Sequence, residues 1–250
     1  MQRYFVDKTD MTDKAVTIRG DDVKHIRRVM RMEPGDLLIC SDNNGRTARC
    51  SIDSLSDEEV VATVIELVKE TTEMPVKITI AQGLPKGDKL EYVVQKGTEL
   101  GANRFIPFEA TRSIVKWDAK KQKKKIERLA KIAKEASEQS HRSFIPEVTA
   151  VQSLDEIITV SRTYETKLIA YEEVAKAGDK KKLAEAFEQT SPGSSILIII
   201  GPEGGLTEDE VSRLEDEGFN SCGFGPRILR TETASLYVLA AASYYYELMR

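Results

Sequence analysis

Two short runs carry residues that packing alone does not require: Gly201-Pro202-Glu203-Gly204-Gly205, and Gly225-Pro226-Arg227-Ile228-Leu229-Arg230-Thr231-Glu232-Thr233-Ala234. Each follows an apolar run, Ile196 to Ile200 in the first case and Cys222-Gly223-Phe224 in the second. Glycine and proline after a strand make a tight turn whose backbone amides can approach a ligand closely. A single such turn would be an ordinary β–α connection. Two of them, one holding a carboxylate and the other two guanidinium groups and a carboxylate, are expected to line one crevice at the carboxyl ends of parallel strands.

Neither run is a polyphosphate cradle. A P-loop needs Lys and then Ser or Thr after its last glycine, where this chain has Leu206 and Thr207, and neither run has G-x-G-x-x-G spacing. Glu203 would repel a phosphate at close range. S-adenosylmethionine suits the residues better, because backbone amides can read its adenosine and its sulfonium tolerates a carboxylate. The chemistry would then be methyl transfer, a displacement at carbon in which positioning is the main task.

Together the two runs resemble the signature of the RsmE family of SPOUT-class methyltransferases. Further similarity lies in Gln82-Gly83-Leu84-Pro85-Lys86-Gly87-Asp88-Lys89, in Gln95 to Gly101 and in Glu135 to Arg142, so it covers essentially the whole chain. The resemblance implies S-adenosylmethionine-dependent methylation of N3 of a uridine in 16S ribosomal RNA, in the decoding region near its 3′ end. It also implies a trefoil knot at the cofactor site, a PUA-like N-terminal domain and a homodimer. Cofactor contacts would come from Ile200, Gly201, Pro202, Glu203, Gly204, Phe224, Gly225, Ile228, Leu229, Arg230, Thr233 and Ala234, with Tyr171 and Glu172 as a third wall. Charge spreading onto the uracil oxygens is work for a guanidinium, first Arg230 and next Arg112. Glu203 or Glu232 could accept the N3 proton, and each could equally fix an arginine or the loop. The same residues would also serve a SPOUT methyltransferase of transfer RNA or 23S ribosomal RNA, or a non-catalytic ribosome-assembly factor. The unbroken run from Arg227 to Thr233 argues against a decayed site.

Composition sets bounds on the partners. The chain has 250 residues and a net charge of −4, an acidic total at odds with an RNA partner until its distribution is read. Residues 112–142 hold eleven Lys/Arg against four Asp/Glu, whereas residues 147–250 hold ten against eighteen. Such asymmetry marks a polyanion-binding face on an acidic body. Lys120, Lys121, Lys123, Lys124 and Lys125 could simply solvate a long helix. A tighter cluster, Lys24, His25, Arg27, Arg28 and Arg31, alternates with Val23, Ile26, Val29 and Met30 at helical spacing and predicts a cationic face over a buried one. Lys24, Arg28, Arg31, Lys86 and Arg142 are the candidate RNA contacts, in 16S ribosomal RNA within the 30S subunit. Cys40, Cys50 and Cys222 lack C-x-x-C spacing and two histidines do not complete a metal site, so no metal is expected. No apolar run is long enough to span a membrane, the start lacks a signal-peptide core, and a cytoplasmic protein is expected.

The elements that position these residues fall into two blocks, 1–72 and 73–250. The first reads as five short strands (from Arg3, Ala15, Asp36, Thr47 and Val60) and one helix near Asp22 to Val29, with Asn43-Asn44-Gly45 as a hairpin turn. The second alternates strand and helix, the pattern of a parallel sheet covered by helices. Its strands are Val76 to Ala81, Arg104 to Phe108, Lys167 to Ala170, Ile196 to Ile200 and Ser221 to Phe224. Its helices are Asp88 to Leu100, Ala119 to Ser140, Leu154 to Val160, Lys180 to Gln189, Glu208 to Glu217 and Glu232 to Leu248. Ser153 with Glu156, and Thr207 with Glu210, predict capping boxes. From Ala234 to Tyr246 no side chain is charged, and apolar residues point all round the helix, which predicts burial on more than one side and a second subunit as cover. The fold class is α/β, a SPOUT-type domain with a parallel sheet plus a small β-barrel.

Overall fold

The computed structural model describes residues 1–171 and 181–249, and these group into two compact units. One contains Met1–Glu73 together with Lys134–Ile145, the other Met74–Ala133 together with Pro146–Arg250.

In the first unit five strands form one sheet: β1 (Arg3–Phe5), β2 (Ala15–Arg19), β3 (Leu37–Ser41), β4 (Thr47–Leu55) and β5 (Glu59–Leu67), in the order β1-β3-β4-β5-β2. β1 and β3 run parallel and the other pairs antiparallel. Register shifts at Arg49/Cys50 and Ile52/Ser54 bend β4 against β5, which curls the sheet around its core. Alternation fills that core: Val16, Ile18, Leu38, Cys40, Ala48, Cys50, Ile52, Val60 and Ala62 point inward. The predicted hairpin is present, with Asn43 (φ 53°) and Gly45 (φ 97°) in left-handed backbone.

The single predicted helix of this unit is two pieces. α1 (Asp21–Lys24) passes into a π-helical turn over His25–Val29, closed by the Met30 N–H donating to the His25 carbonyl at 2.9 Å. The wider turn rotates the residues at its end out of α-helical phase. Val23 and Ile26 are core residues, but Val29 is 66% and Met30 37% exposed, so the expected four-residue apolar face is only half buried.

The second unit is built on six parallel strands: β6 (Lys77–Gly83), β7 (Arg104–Phe108), β8 (Glu147–Val148), β9 (Thr166–Ala170), β10 (Ser195–Ile200) and β11 (Asn220–Cys222), in the order β11-β9-β10-β6-β7-β8. Ile196 through Ile200 are buried without alternation, as a central strand covered on both faces requires. The helices are α2 (Lys89–Glu99), α3 (Ala119–Gln139, whose residues from Lys134 on group with the first unit), α4 (Leu154–Ser161), α5 (Lys182–Gln189), α6 (Glu208–Asp216) and α7 (Thr231–Ser243), the last continuing as a π-helical turn over Tyr244–Leu248. Both capping boxes form, with each hydroxyl accepting from the backbone N–H of the glutamate three residues on. β11 ends at Cys222, which leaves Phe224 two residues past the strand in which it was expected.

The apolar residues of α7 and its extension divide by exposure. Val238, Leu239, Ala242 and Tyr246 are buried within the chain, and the Tyr246 hydroxyl donates to the Phe187 carbonyl at 2.9 Å. Tyr237, Tyr244, Leu248 and Met249 are exposed, so the apolar helix end is covered by its own chain on one side only.

Candidate active site

β6, β9, β10 and β11 are neighbours in one parallel sheet, so the segments following them leave from the same edge. β10 delivers Ile200 into the turn at Gly201, which is closed by the Gly205 N–H donating to the Pro202 carbonyl at 2.9 Å, with Gly205 at φ 68°. The turn lies against the end of β6, where a Cβ on Gly83 would sit 2.6 Å from Pro202 Cδ and N. Only glycine permits that approach.

A buried relay fixes the two loops together. Ser235 Oγ donates to Gln82 Oε1 at 2.6 Å, Gln82 Nε2 donates to Thr231 Oγ1 at 2.7 Å, and Thr231 Oγ1 donates to the Gly201 carbonyl at 2.6 Å. Gln82 is fully buried, so each polar atom in this chain of donors needs the next. The relay joins the end of β6, the loop after β10 and the first turns of α7.

Two carboxylates face one ammonium. Lys89 Nζ lies 2.9 Å from Glu203 Oε1 and 3.4 Å from Glu232 Oε2, and Glu203 Oε1 also accepts the Lys86 backbone N–H at 3.0 Å. Partial burial pushes the Glu203 carboxyl up, but the hydrogen bonds from Lys89 and from backbone amides outweigh it and hold the group below its ordinary range. The Lys89 ammonium is correspondingly raised, chiefly by its hydrogen bond to Glu203. Glu232 Oε2 is buried and has no hydrogen-bond partner in good geometry.

The arginines differ in what they touch. Arg112 donates from one guanidinium nitrogen to the carbonyls of Gly204 (3.1 Å) and Leu206 (3.2 Å), and a Cβ on Gly204 would lie 3.0 Å from Arg112 Cβ. Arg112 is held there through its neighbour: Glu210 Oε1 accepts the Thr111 N–H at 2.7 Å while Oε2 accepts the Thr207 N–H at 2.8 Å. Arg230 is the N-cap of α7, makes no side-chain cap and stands exposed, with no ion pair among the described residues. Arg227 and Ile228 are also exposed.

The second loop lies between Phe224, stacked on Tyr237 with ring centroids 6.0 Å apart, and the start of α7. Among the described residues, no backbone hydrogen bond engages the N–H groups of Gly225, Arg227, Ile228 or Leu229. Tyr171, just past β9, donates its N–H to the Cys222 carbonyl at 3.0 Å, so it stands beside this loop. Thr233 is exposed and Ala234 buried on the first turn of α7. Glu172 lies outside the described residues. No group of three His, Cys, Asp or Glu side chains suited to a metal occurs among the described residues.

The candidate RNA contacts divide by exposure. Arg28 and Arg31 are exposed without ion pairs among the described residues, whereas Arg27 is spent on the Ser56 carbonyl and Asp57. Lys24 is exposed, 3.6 Å from Asp21, and Lys86 is exposed. Arg142 is buried, with a side chain 3% exposed, and its guanidinium faces Glu73 instead of solvent. Lys125 and Arg128 pair with Glu91, while Lys120, Lys121, Lys123 and Lys124 are exposed.

Gln82, Lys89, Thr231, Ser235 and the second role of Glu210 were not among the candidates. Gln82 carried a signal, an amide side chain ending the strand run Ile78-Thr79-Ile80-Ala81. Lys89 stands in a block that carries the resemblance, but no spacing announces its pairing, because its partners are more than a hundred residues away.

Comparison with known proteins places the chain in a family. The family model described as an RNA methyltransferase domain matches residues 72–243, and the one described as an RNA methyltransferase PUA domain matches residues 18–65. Fold and site thus define an RNA methyltransferase with a PUA domain ahead of its catalytic domain. A ribosomal RNA small subunit methyltransferase E from Bacillus subtilis is 51% identical over 253 residues, covering 100% of this chain and 99% of the relative. One from Mycobacterium bovis is 31% identical, covering 95% and 89%. A crystal structure of the enzyme of that name from Neisseria gonorrhoeae, bound to S-adenosyl methionine, superposes with a TM-score of 0.84 at 28% identity over 98% of each chain. The chain belongs to the ribosomal RNA small subunit methyltransferase E family. No helix among the described residues is long and apolar enough to cross a membrane.

Proposed function

We propose that this chain transfers a methyl group from S-adenosylmethionine to N3 of a uridine in 16S ribosomal RNA. The observation that carries the reading is the pair of loops joined by the Ser235–Gln82–Thr231–Gly201 relay, one of which presents unengaged backbone amides. Those amides, with Phe224, Tyr171, Gly201 and Gly204, would hold the adenosyl group. The bound cofactor supplies an electrophilic methyl on a sulfonium.

The chain's own part is positioning and charge. Arg230, free of internal ion pairs among the described residues, takes the role of donor to the uracil oxygens as negative charge develops there. Arg112, already donating to two loop carbonyls, braces the first loop. Glu203 stays ionised beside Lys89 and ties the loop to α2. Glu232, two residues from Arg230 and 3.4 Å from Lys89, takes the role of acceptor for the N3 proton. Arg28, Arg31, Lys24 and Lys86 contact RNA phosphates.

The same reading takes 1–72 as the RNA-binding domain and 73–250 as the catalytic one, with the family's knotted path around the cofactor. A homodimer is part of this reading and is supported by the exposed apolar side of α7, Tyr237, Tyr244, Leu248 and Met249, which a second copy would cover; the reading places it in the cytoplasm. The substrate is proposed to be ribosomal RNA within the 30S subunit. Calorimetry with S-adenosylhomocysteine tests the cofactor half: tight binding not displaced by ATP is expected, and ATP binding indifferent to S-adenosylhomocysteine would overturn it.

A further inference from the structure

The tip that follows α1 presents apolar side chains to solvent where a folded domain has no use for them. Val29 and Met30 are exposed, and they sit directly between the free cations Arg28 and Arg31. Single exposed hydrophobic residues are normal on any surface. Here three independent features coincide. The π-helical turn over His25–Val29 rotates Val29 and Met30 out of the core, while Ile26 and Met32 stay packed on it. Arg31 comes next with φ 53°, left-handed backbone that a non-glycine residue adopts only under constraint. Arg27, the cation nearest the body, is neutralised by Asp57, which concentrates the free charge at the tip.

We propose that Val29 and Met30 contact unstacked bases of the RNA while Arg28 and Arg31 hold its phosphates on either side. This rests on the RNA methyltransferase reading above and extends it to how the first unit selects its RNA. Cations alone would grip any polyanion, duplex or single strand. Apolar side chains between them gain only where bases are splayed out, since the bases of a duplex are stacked and its accessible surface is phosphate and ribose. The tip therefore prefers a single-stranded or looped segment over a helix. The size of the patch favours RNA over an anionic membrane, because it is two apolar side chains wide and no longer amphipathic helix backs it.

The test uses the full chain carrying Val29→Ser and Met30→Ser together, compared with Arg28→Ala/Arg31→Ala. Both sites are exposed, so melting temperatures should match the parent. The serine variant should bind a mixed-sequence single-stranded oligoribonucleotide about tenfold to a hundredfold more weakly, from lost apolar contact. Its affinity for a duplex of equal length, and the salt dependence of both, should stay parental. The alanine variant should instead weaken both RNAs and lower the salt slope by about one to two units, at roughly 0.7–0.9 per phosphate contact. Parental single-strand affinity in the serine variant would overturn the proposal, as would equal losses on single strand and duplex. So would binding of anionic phospholipid vesicles that the serine variant abolishes while RNA binding is untouched. A parent chain that binds S-adenosylhomocysteine but no RNA would instead count against the functional reading itself.

Discussion

Lys89 and Glu203 are joined at 2.9 Å across 114 positions of sequence, and this ion pair fastens the first turn of α2 to the loop that follows β10. The same ammonium stands 3.4 Å from Glu232, so one cation is shared between the carboxylates of both loops. Lys89→Met should leave Glu203 and Glu232 without their counterion. The Glu203 carboxyl should then titrate at higher pH than in the parent, as carbon-13 NMR of its side chain would show. Because the pair is partly exposed, cofactor affinity should fall only about three- to tenfold. Parental titration of Glu203 in the variant would show that the backbone amides alone hold the carboxylate.

Glu210 caps α6 and anchors Thr111 at once. Replacing it with Ala removes the acceptor for the backbone N–H groups of Thr111 and Thr207 and should cost about 1–3 kcal/mol of stability by denaturant unfolding. Burial raises the Glu210 carboxyl, but hydrogen bonds from Thr207 and Thr111 prevail and its folded value is depressed. Its contribution is therefore present above the unfolded carboxylate value, about 4.3, and is lost as pH falls through the depressed folded one. The difference between parent and variant should shrink below about pH 4. A constant difference down to strongly acid pH would contradict this.

Gly83→Ala should uncouple cofactor binding from folding. The added Cβ would meet Pro202 at 2.6 Å and push the first loop off the end of β6. Overpacking of this kind costs about 1–3 kcal/mol, which a domain of this size should survive folded. Calorimetry should find S-adenosylhomocysteine binding lost with circular dichroism unchanged. Gly204→Val should also abolish binding, because its side chain would collide with Arg112, which packs over the loop.

Arg230→Ala should lower turnover about a hundredfold to a thousandfold with S-adenosylhomocysteine and RNA affinities near parental, since a transition-state donor is lost. Lys at this position keeps charge without the planar fork, so partial recovery would separate charge from geometry. A rise in pH should restore part of the rate, because the uridine then gives up its proton more readily. Parental turnover in Arg230→Ala, measured as radiolabelled methyl incorporation, would make Arg230 structural.

What was legible in the sequence was local. The capping boxes at Ser153 and Thr207, the apolar run Ile196 to Ile200 and the turn at Asn43 to Gly45 are set by neighbours a few residues apart, and each formed as its pattern required. β8, two residues long, exists only through its pairing with β7, so no periodicity could announce it. The π-helical turn at His25 was invisible because Val23, Ile26 and Met30 satisfy an α-helical spacing equally well. The two site loops were legible from their glycines and charges. Their fastening was not: Gln82 to Thr231, Lys89 to Glu203 and Thr111 to Glu210 all span about a hundred residues or more, and hydrogen bonds at that distance leave no trace in composition or spacing.

The central claim is methyl transfer to uridine N3, and the most direct measurement is of the product. Small-subunit particles, and deproteinised 16S ribosomal RNA, from a strain lacking this gene should be incubated with the purified chain and methyl-labelled S-adenosylmethionine. The RNA is then digested to nucleosides and analysed by mass spectrometry. The account predicts labelled 3-methyluridine, about one per particle, formed about a hundredfold to a thousandfold more slowly when Arg230→Ala replaces the parent. Label in any other nucleoside, or none in either substrate with a cofactor-binding protein, would contradict it.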